Sequence, residues 1–214
     1  MTDIIVDSNL NRIGQMNEFT TDEIKNEPML FNCSGTWAYE NGGPLTRNFL
    51  DNLGGDLDKY VVDSRVHMLM PGWYPCIPGW HHDDVPRSLP NGQPNYIDPE
   101  YRSKHYIALV GAEVSPTRVA IGKTDLPLLT ENVYSNWNDI VEEKIEHGAL
   151  KEKVFEDRII YLMDDQTLHT GQKAQKNGWR FFIRASFDTD RVDKVTNEIR
   201  RQVQVYLDAP MAGW

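Results

Sequence analysis

Apolar and polar residues alternate with period two through much of this chain. In "KYVVDSRVHMLM" every second position, Val62, Ser64, Val66, Met68 and Met70, builds a mostly apolar face, as a half-buried β-strand requires. "WRFFIRASF" divides more sharply. Trp179, Phe181, Ile183 and Ala185 are all apolar, while Arg180, Phe182, Arg184 and Ser186 share the other face. "KHYIALVG", "TRVAIG" and "RIIYLM" continue the strand pattern, and "RQVQVYL" near the end is a further candidate. Helical spacing is confined to a few places. "SNWNDIVEEKIEHG" sets Trp137, Ile140, Val141 and Ile145 on one face, with Ser135 as the expected cap and Gly148 as the stop. "PLTRNFLDNLGG" has Pro44 for a first turn and Gly54 for an end. In "TTDEI", Thr20 and Glu23 have capping-box spacing, and the rest of the first 30 residues reads as irregular.

Many short strands and few helices predict a mainly β fold, an antiparallel sandwich or jelly roll, with no sign of a parallel α/β sheet. No repeat or linker divides the chain, so a single domain over 1–214 is expected. The segment from Pro86 to Pro99 is a long loop rich in proline and asparagine, suited to a lid or binding loop and equally to a solvated excursion with no role.

Composition narrows the function classes. With 40% hydrophobic and 25% charged residues in 214, the chain has material for a real core. A formal net charge of −10 works against broad attraction to a phosphate backbone, although a locally basic groove remains compatible with it. The start, "MTDIIVDSNLNRIG", has no basic region followed by an apolar core, and no stretch approaches the roughly 18 apolar residues of a membrane span. A soluble cytoplasmic protein is the expectation. Cys33 and Cys76 have neither CxxC spacing nor the density of a disulfide scaffold and read as reduced thiols.

The chemistry is concentrated in "PGWHHDDVP". Residues i and i+2 of a strand point to the same side, so His-x-Asp presents an imidazole and a carboxylate together. The segment holds two overlapping copies, His81 with Asp83 and His82 with Asp84, and the doubling leaves the register open. A turn in which one aspartate caps local amides explains that aspartate and neither histidine. A two-His, one-carboxylate facial triad needs another ligand from elsewhere in the chain. Among the other histidines, His147 ends the predicted helix and suits the surface. His67 lies opposite the apolar face of its strand, which suits a solvated or supporting place, and His105 can face either way. His169 stands apart, in "TLHTG" between an apolar strand and a turn.

Arg180 and Arg184 follow on the next strand. On an exposed strand they would face solvent or structural acids. Inside a barrel each needs a partner, and a dicarboxylate supplies one, because the planar guanidinium matches a carboxylate through two parallel hydrogen bonds.

His-x-Asp, a distant His and an Arg on the following strand together resemble the Fe(II)- and 2-oxoglutarate-dependent dioxygenases. The offsets from His169 to Arg180 and Arg184, with "WRFFIRAS", are most similar to the taurine dioxygenase-like branch, and "GWHHDD" resembles the "GWHxDD" form of the DNA-dealkylating branch. The resemblance spans about Val61 to Phe187 and leaves the first 60 residues uncovered. It implies a double-stranded β-helix, or cupin-like jelly roll, with a few flanking helices. It also implies Fe(II) on His81, Asp83 and His169, and His81 is preferred because the resembling motifs put the ligand directly after the tryptophan. The same pattern gives Arg180 the distal carboxylate of 2-oxoglutarate, puts Arg184 nearer the metal to help hold cosubstrate or an anionic substrate, and makes Tyr106 an extra cosubstrate contact. The implied reaction is hydroxylation of an unidentified primary substrate, with release of succinate and carbon dioxide. Two other classes stand beside it. A cupin-like metalloprotein would use its metal as a Lewis acid without oxygen, and a non-catalytic jelly-roll domain would carry "HHDD" as a solvated turn.

Overall fold

The computed structural model describes residues 2–90, 92–128 and 133–207. In chain order its elements are β1 (Thr2–Ser8), β2 (Asn11–Gln15), α1 (Thr21–Asn26), β3 (Met29–Phe31), β4 (Cys33–Ser34), α2 (Gly35–Asn41), α3 (Pro44–Leu53), β5 (Val61–Leu69), β6 (Lys104–Val110), β7 (Thr117–Leu128), α4 (Val133–Glu146), β8 (Lys151–Val154), β9 (Ile159–Asp164), β10 (Leu168–Gly171), β11 (Gly178–Phe187) and β12 (Glu198–Arg200). The fold is mainly β. One sheet runs β2-β9-β6-β11-β5-β4, a second runs β1-β7-β10 with β8 on β7, and β12 pairs with β3. Every pairing among these strands is antiparallel.

Three apolar clusters tie the layers together. Helices α1 and α3 cover the outer face of the six-stranded sheet, where Phe181, Ile183 and Ala185 of β11 meet Ile24, Leu45, Phe49 and Leu50. Burying a side chain of that size contributes about 1.5–3 kcal/mol. A second cluster joins Ile107 and Leu109 of β6 and Tyr161 and Met163 of β9 to Val119 of β7. The third sets Trp137 and Val141 of α4 against Ile4, Val6, Ala120, Leu126 and Leu168.

Local signals located most of these elements. The Thr20–Glu23 capping box forms with both reciprocal bonds, and α3 has Pro44 in its first turn and Gly54 at its end. Helix α4 begins at Val133, so Ser135 falls within its first turn instead of ahead of it. The first 30 residues are more ordered than expected, because β1, β2 and β3 lie there. β1 adds to the far half of β7, with Ile4 opposite Leu126. Ile4 and Val6 are buried while Ile5 is 66% exposed, an alternation that a run of three apolar residues conceals. β2 has no apolar face, and its pairing with β9 defines it. The strand expected over "RQVQVYL" does not form: β12 ends at Arg200, just ahead of it, and within it Tyr206 makes an isolated bridge with Tyr74. Helix α2 was not anticipated. Ser34 caps it through the Trp37 amide, and Gly35 sits so tightly that a Cβ there would lie 2.1 Å from the Leu57 carbonyl oxygen.

One buried acid organises the helical side. Glu27 accepts from the amides of Gly43, Leu45 and Thr46 at 2.9, 3.1 and 2.9 Å and from the Thr46 hydroxyl at 2.6 Å. It therefore serves the free amides and positive end of α3 from a distant turn. Glu27→Ala strands these donors in the core and is expected to cost about 2–4 kcal/mol, read as a lower urea midpoint.

Cys33 and Cys76 are both free thiols. Among the described residues, no helix is long and apolar enough to cross a membrane.

Candidate metal centre

The "HHDD" segment is fixed from two sides. His81 and His169 form an isolated antiparallel bridge, each amide donating to the other's carbonyl at 3.1 Å. From the other side, Asn138 of α4 accepts from the Trp80 amide at 2.6 Å, and Glu142 accepts from the Trp80 indole at 3.0 Å. Gly79, with φ of 105°, makes the turn ahead of Trp80; a side chain there would be strained and would collide with Asn138.

This anchoring sets the register. His81, Asp83 and His169 converge, each offering one ligand atom, and the three atoms lie within 4.8 Å of one another. His82 points the other way, into a buried cluster with its ring centre 5.3 Å from Tyr96 and 5.5 Å from Trp137, and its Nδ1 lies 3.0 Å from the Tyr96 hydroxyl. Burial pushes its pKa down to about 3. Asp84 adopts φ of 52° and accepts from the Tyr101 hydroxyl at 3.4 Å.

Both converging imidazoles are held in one tautomer. Nδ1 of His81 donates to the Gly79 carbonyl at 2.8 Å, and Nδ1 of His169 donates to the Thr167 carbonyl at 2.9 Å. Each neutral ring then carries its lone pair on Nε2, and for His169 that atom is 3.7 Å from the Asp83 carboxylate. Burial holds the His169 imidazole down at about 4, so at neutral pH it is a lone-pair donor. Asp83 is ionised: burial would raise its pKa, but the Arg184 guanidinium at 2.6 Å, with the neighbouring histidines, holds it well below the usual carboxylate range.

The inward rows of β5 and β11 form the adjoining wall. Their register places Arg180 opposite His67, Phe182 opposite Arg65, and Arg184 opposite Asp63. Arg184 bridges Asp83 and Asp63, and Arg191 also donates to Asp63 at 2.8 Å. Burial raises the Asp63 pKa, yet Arg184 and Arg191 outweigh it and bring the carboxyl to about 2. A carboxyl depressed from 3.8 stabilises the fold above that pH and loses the contribution as pH falls toward 2, on the order of 2 kcal/mol. Asp63→Asn is therefore expected to be less stable by about that amount at pH 7, with the gap closing between about pH 4 and pH 2 in urea unfolding.

Arg180 is 3% exposed. It donates from Nε to the Ser115 carbonyl at 3.0 Å and from Nη2 to the Thr117 hydroxyl at 3.1 Å. No carboxylate among the described residues pairs with it, and burial brings its pKa down to about 10. It shares with the three converging residues a cavity of about 870 Å³, whose walls include Ile107, Phe182 and the Gln202–Gln204 segment.

The remaining sequence candidates are distributed differently. Tyr106 is not brought to the site: strand alternation sends Ile107 toward the cavity and Tyr106 to the helical side, stacked on Phe187 at 5.2 Å. His105 is buried between the hydroxyls of Ser186 and Ser103, at 2.9 and 3.2 Å. His147 is exposed at the end of α4. His67 is 1% exposed and lines the cavity, so the solvated place is excluded; its Nε2 lies 3.1 Å from the Gln204 carbonyl. Tyr96 belongs to the core under α4, and Trp80 packs there while also bordering the cavity. Sequence reasoning missed Asp63 and Arg65 as site residues, although both share an alternate-position row with His67. The Gln202–Gln204 segment, which also lines the cavity, was legible only as part of a candidate strand.

No family model matches the chain, and no curated protein matches its sequence. Among solved structures it is similar to EvdO2 from Micromonospora carbonacea var. aurantiaca, crystallised in complex with 2-oxoglutarate, at 12% identity and a TM-score of 0.37. The match covers 70% of this chain and 57% of that protein.

Proposed function

We propose that this chain is an Fe(II)- and 2-oxoglutarate-dependent oxygenase, a single domain over residues 1–214 built on a double-stranded β-helix. The observation that supports it most is Arg180, a buried cation with no anionic partner among the described residues, lining the same cavity as a two-His, one-carboxylate cluster. Removing a guanidinium from water without a counter-charge is unfavourable, and a carboxylate ligand reverses that balance.

The donor set fits ferrous iron: two imidazoles that each donate from Nδ1 to a carbonyl and so present Nε2 as the ligand atom, and one ionised carboxylate. Fe(II) held by His81, Asp83 and His169, with 2-oxoglutarate bound, supplies the oxygen-activating chemistry whose products are hydroxylated substrate, succinate and carbon dioxide. The chain's own groups prepare that site. The carbonyls of Gly79 and Thr167 orient the imidazoles. Arg184 keeps Asp83 ionised and in place, and because both its terminal nitrogens are engaged by aspartates, its role is positioning. Arg180 fastens the far carboxylate of the cosubstrate, while Ile107 and Phe182 limit water.

Succinate formation from 2-oxoglutarate, dependent on Fe(II) and abolished in His81→Ala and His169→Ala, is the expected result. Folded, iron-loaded protein that neither binds nor turns over 2-oxoglutarate would defeat the reading.

A further inference from the structure

The cavity beside the metal cluster has a charge opposite to that of the whole molecule. The chain carries a formal net charge of −10. The described residues lining the cavity nevertheless include arginines 65, 87, 180, 184 and 200 against one carboxylate, Asp83. Arg184 is occupied by Asp83 and Asp63, and Arg180 is assigned to the cosubstrate. Arg87 is exposed on its loop and donates to the Gly92 carbonyl at 3.2 Å. Arg65 and Arg200 remain.

Neither forms an ion pair with an acid among the described residues. Arg65 extends from β5 with its guanidinium 6.0 Å from the Phe182 ring centre, and it makes no hydrogen bond or ion pair to a described residue. Arg200 reaches in from β12, its guanidinium carbon 3.9 Å from the centre of the Phe31 ring, and its buried Nε has no hydrogen-bond partner. Both line the same cavity; burial, then the Arg200 and Arg184 charges, depress the Arg65 pKa, and the more weakly felt Asp63 and Asp83 draw it the other way. Like charges gathered in a partly dry cavity repel in the empty protein, and the aromatic faces behind them offset only part of that cost. An anion between them turns repulsion into two forked, charge-assisted contacts.

We propose that Arg65 and Arg200 form a second anion site, separate from Arg180, that binds an oxyanion of the primary substrate and so selects a small acidic molecule bearing a carboxylate, phosphate or sulfonate. Its assignment to the substrate rests on the oxygenase reading; the anion site itself does not. The volume is sufficient. A cavity of about 870 Å³ lies near the top of the range for small-molecule sites, roughly 300–1,000 Å³, which leaves room for a second small ligand beside the cosubstrate.

Titration calorimetry of inorganic phosphate, methanesulfonate and acetate into the full chain tests the proposal. It is done with Mn(II) and 2-oxoglutarate present, so that Arg180 is occupied, and repeated on the Arg180→Met protein with neither. At least one probe is expected to bind with a dissociation constant of about 1 mM or tighter, the strongest identifying the group. Binding should persist in Arg180→Met and weaken about tenfold or more in Arg65→Gln and Arg200→Gln, as loss of a charged partner requires. Arg65→Lys, which keeps the charge and loses the fork, is expected to fall between wild type and Arg65→Gln and guards against an unfolded variant. Three results overturn the site: no probe binds wild type, probes bind Arg65→Gln and Arg200→Gln as tightly as wild type, or binding disappears in Arg180→Met. A tenfold loss of 2-oxoglutarate affinity in Arg65→Gln would also overturn it, by giving the pair to the cosubstrate. Probe binding without any 2-oxoglutarate binding would uphold the anion site and remove the oxygenase reading.

Discussion

Replacing Arg180 with methionine is expected to weaken 2-oxoglutarate binding by at least about 100-fold while leaving the fold as stable as before or more so. The two effects have opposite signs because they come from the same desolvated charge. In the free protein the described residues satisfy the guanidinium with a carbonyl and a hydroxyl alone, and burial works against its charged form. A flexible apolar side chain of similar length removes that penalty, and replacing buried charge by well-packed apolar groups is often neutral or stabilising, by about 1–4 kcal/mol. With ligand bound, the loss of one partner from a buried charge pair costs about 2–5 kcal/mol, and each 1.4 kcal/mol is tenfold in affinity. Calorimetric titration with 2-oxoglutarate and Mn(II), paired with urea unfolding of the free protein, reads both effects. Arg180→Lys should recover little of the affinity, because an ammonium cannot offer two parallel bonds. A variant that unfolds readily and binds 2-oxoglutarate normally would show Arg180 to be structural.

The second large effect concerns the metal. The wild-type chain is expected to take up one Fe(II), or a redox-inert substitute, and to gain about 2.7 kcal/mol of stability when free metal is 100-fold above its dissociation constant. His169→Ala and Asp83→Ala should lose both uptake and the metal-dependent rise in melting temperature, and chelation should return wild type to the apo midpoint. Asp83→Ala carries an extra cost, since Arg184 keeps Asp63 but loses its 2.6 Å partner. His82→Ala separates the two registers of the doubled motif. It should keep metal uptake and lose about 1–3 kcal/mol of stability, because His82 fills space between Tyr96 and Trp137. Loss of metal from His82→Ala with retention in His81→Ala would reverse the assignment.

Much of the scaffold was legible because it is written locally. The alternation in 178–187 separates Phe181, Ile183 and Ala185 from Arg180 and Arg184, and the structure buries the first set under the helices and turns the arginines into the cavity. Caps at Thr20 and Pro44 act over three or four residues and could be read from three or four residues. Tyr106 shows the limit. Period two separates it from Ile107 with certainty, yet which of the two faces the cavity depends on the strands either side.

The sequence alone therefore determined a β-rich chain, the two faces of its central strand, and a short set of residues able to ligate a metal or bind an acid. Tertiary structure decided which of the adjacent histidines turns toward His169, that Arg184 serves two aspartates while Arg180 pairs with none among the described residues, and that Arg200, far along the chain, lines the same cavity as Arg65. The physical reason is range. Backbone pleat and helix caps act between near neighbours, whereas burial and charge pairing depend on segments 50 to 160 residues apart, brought together only by packing.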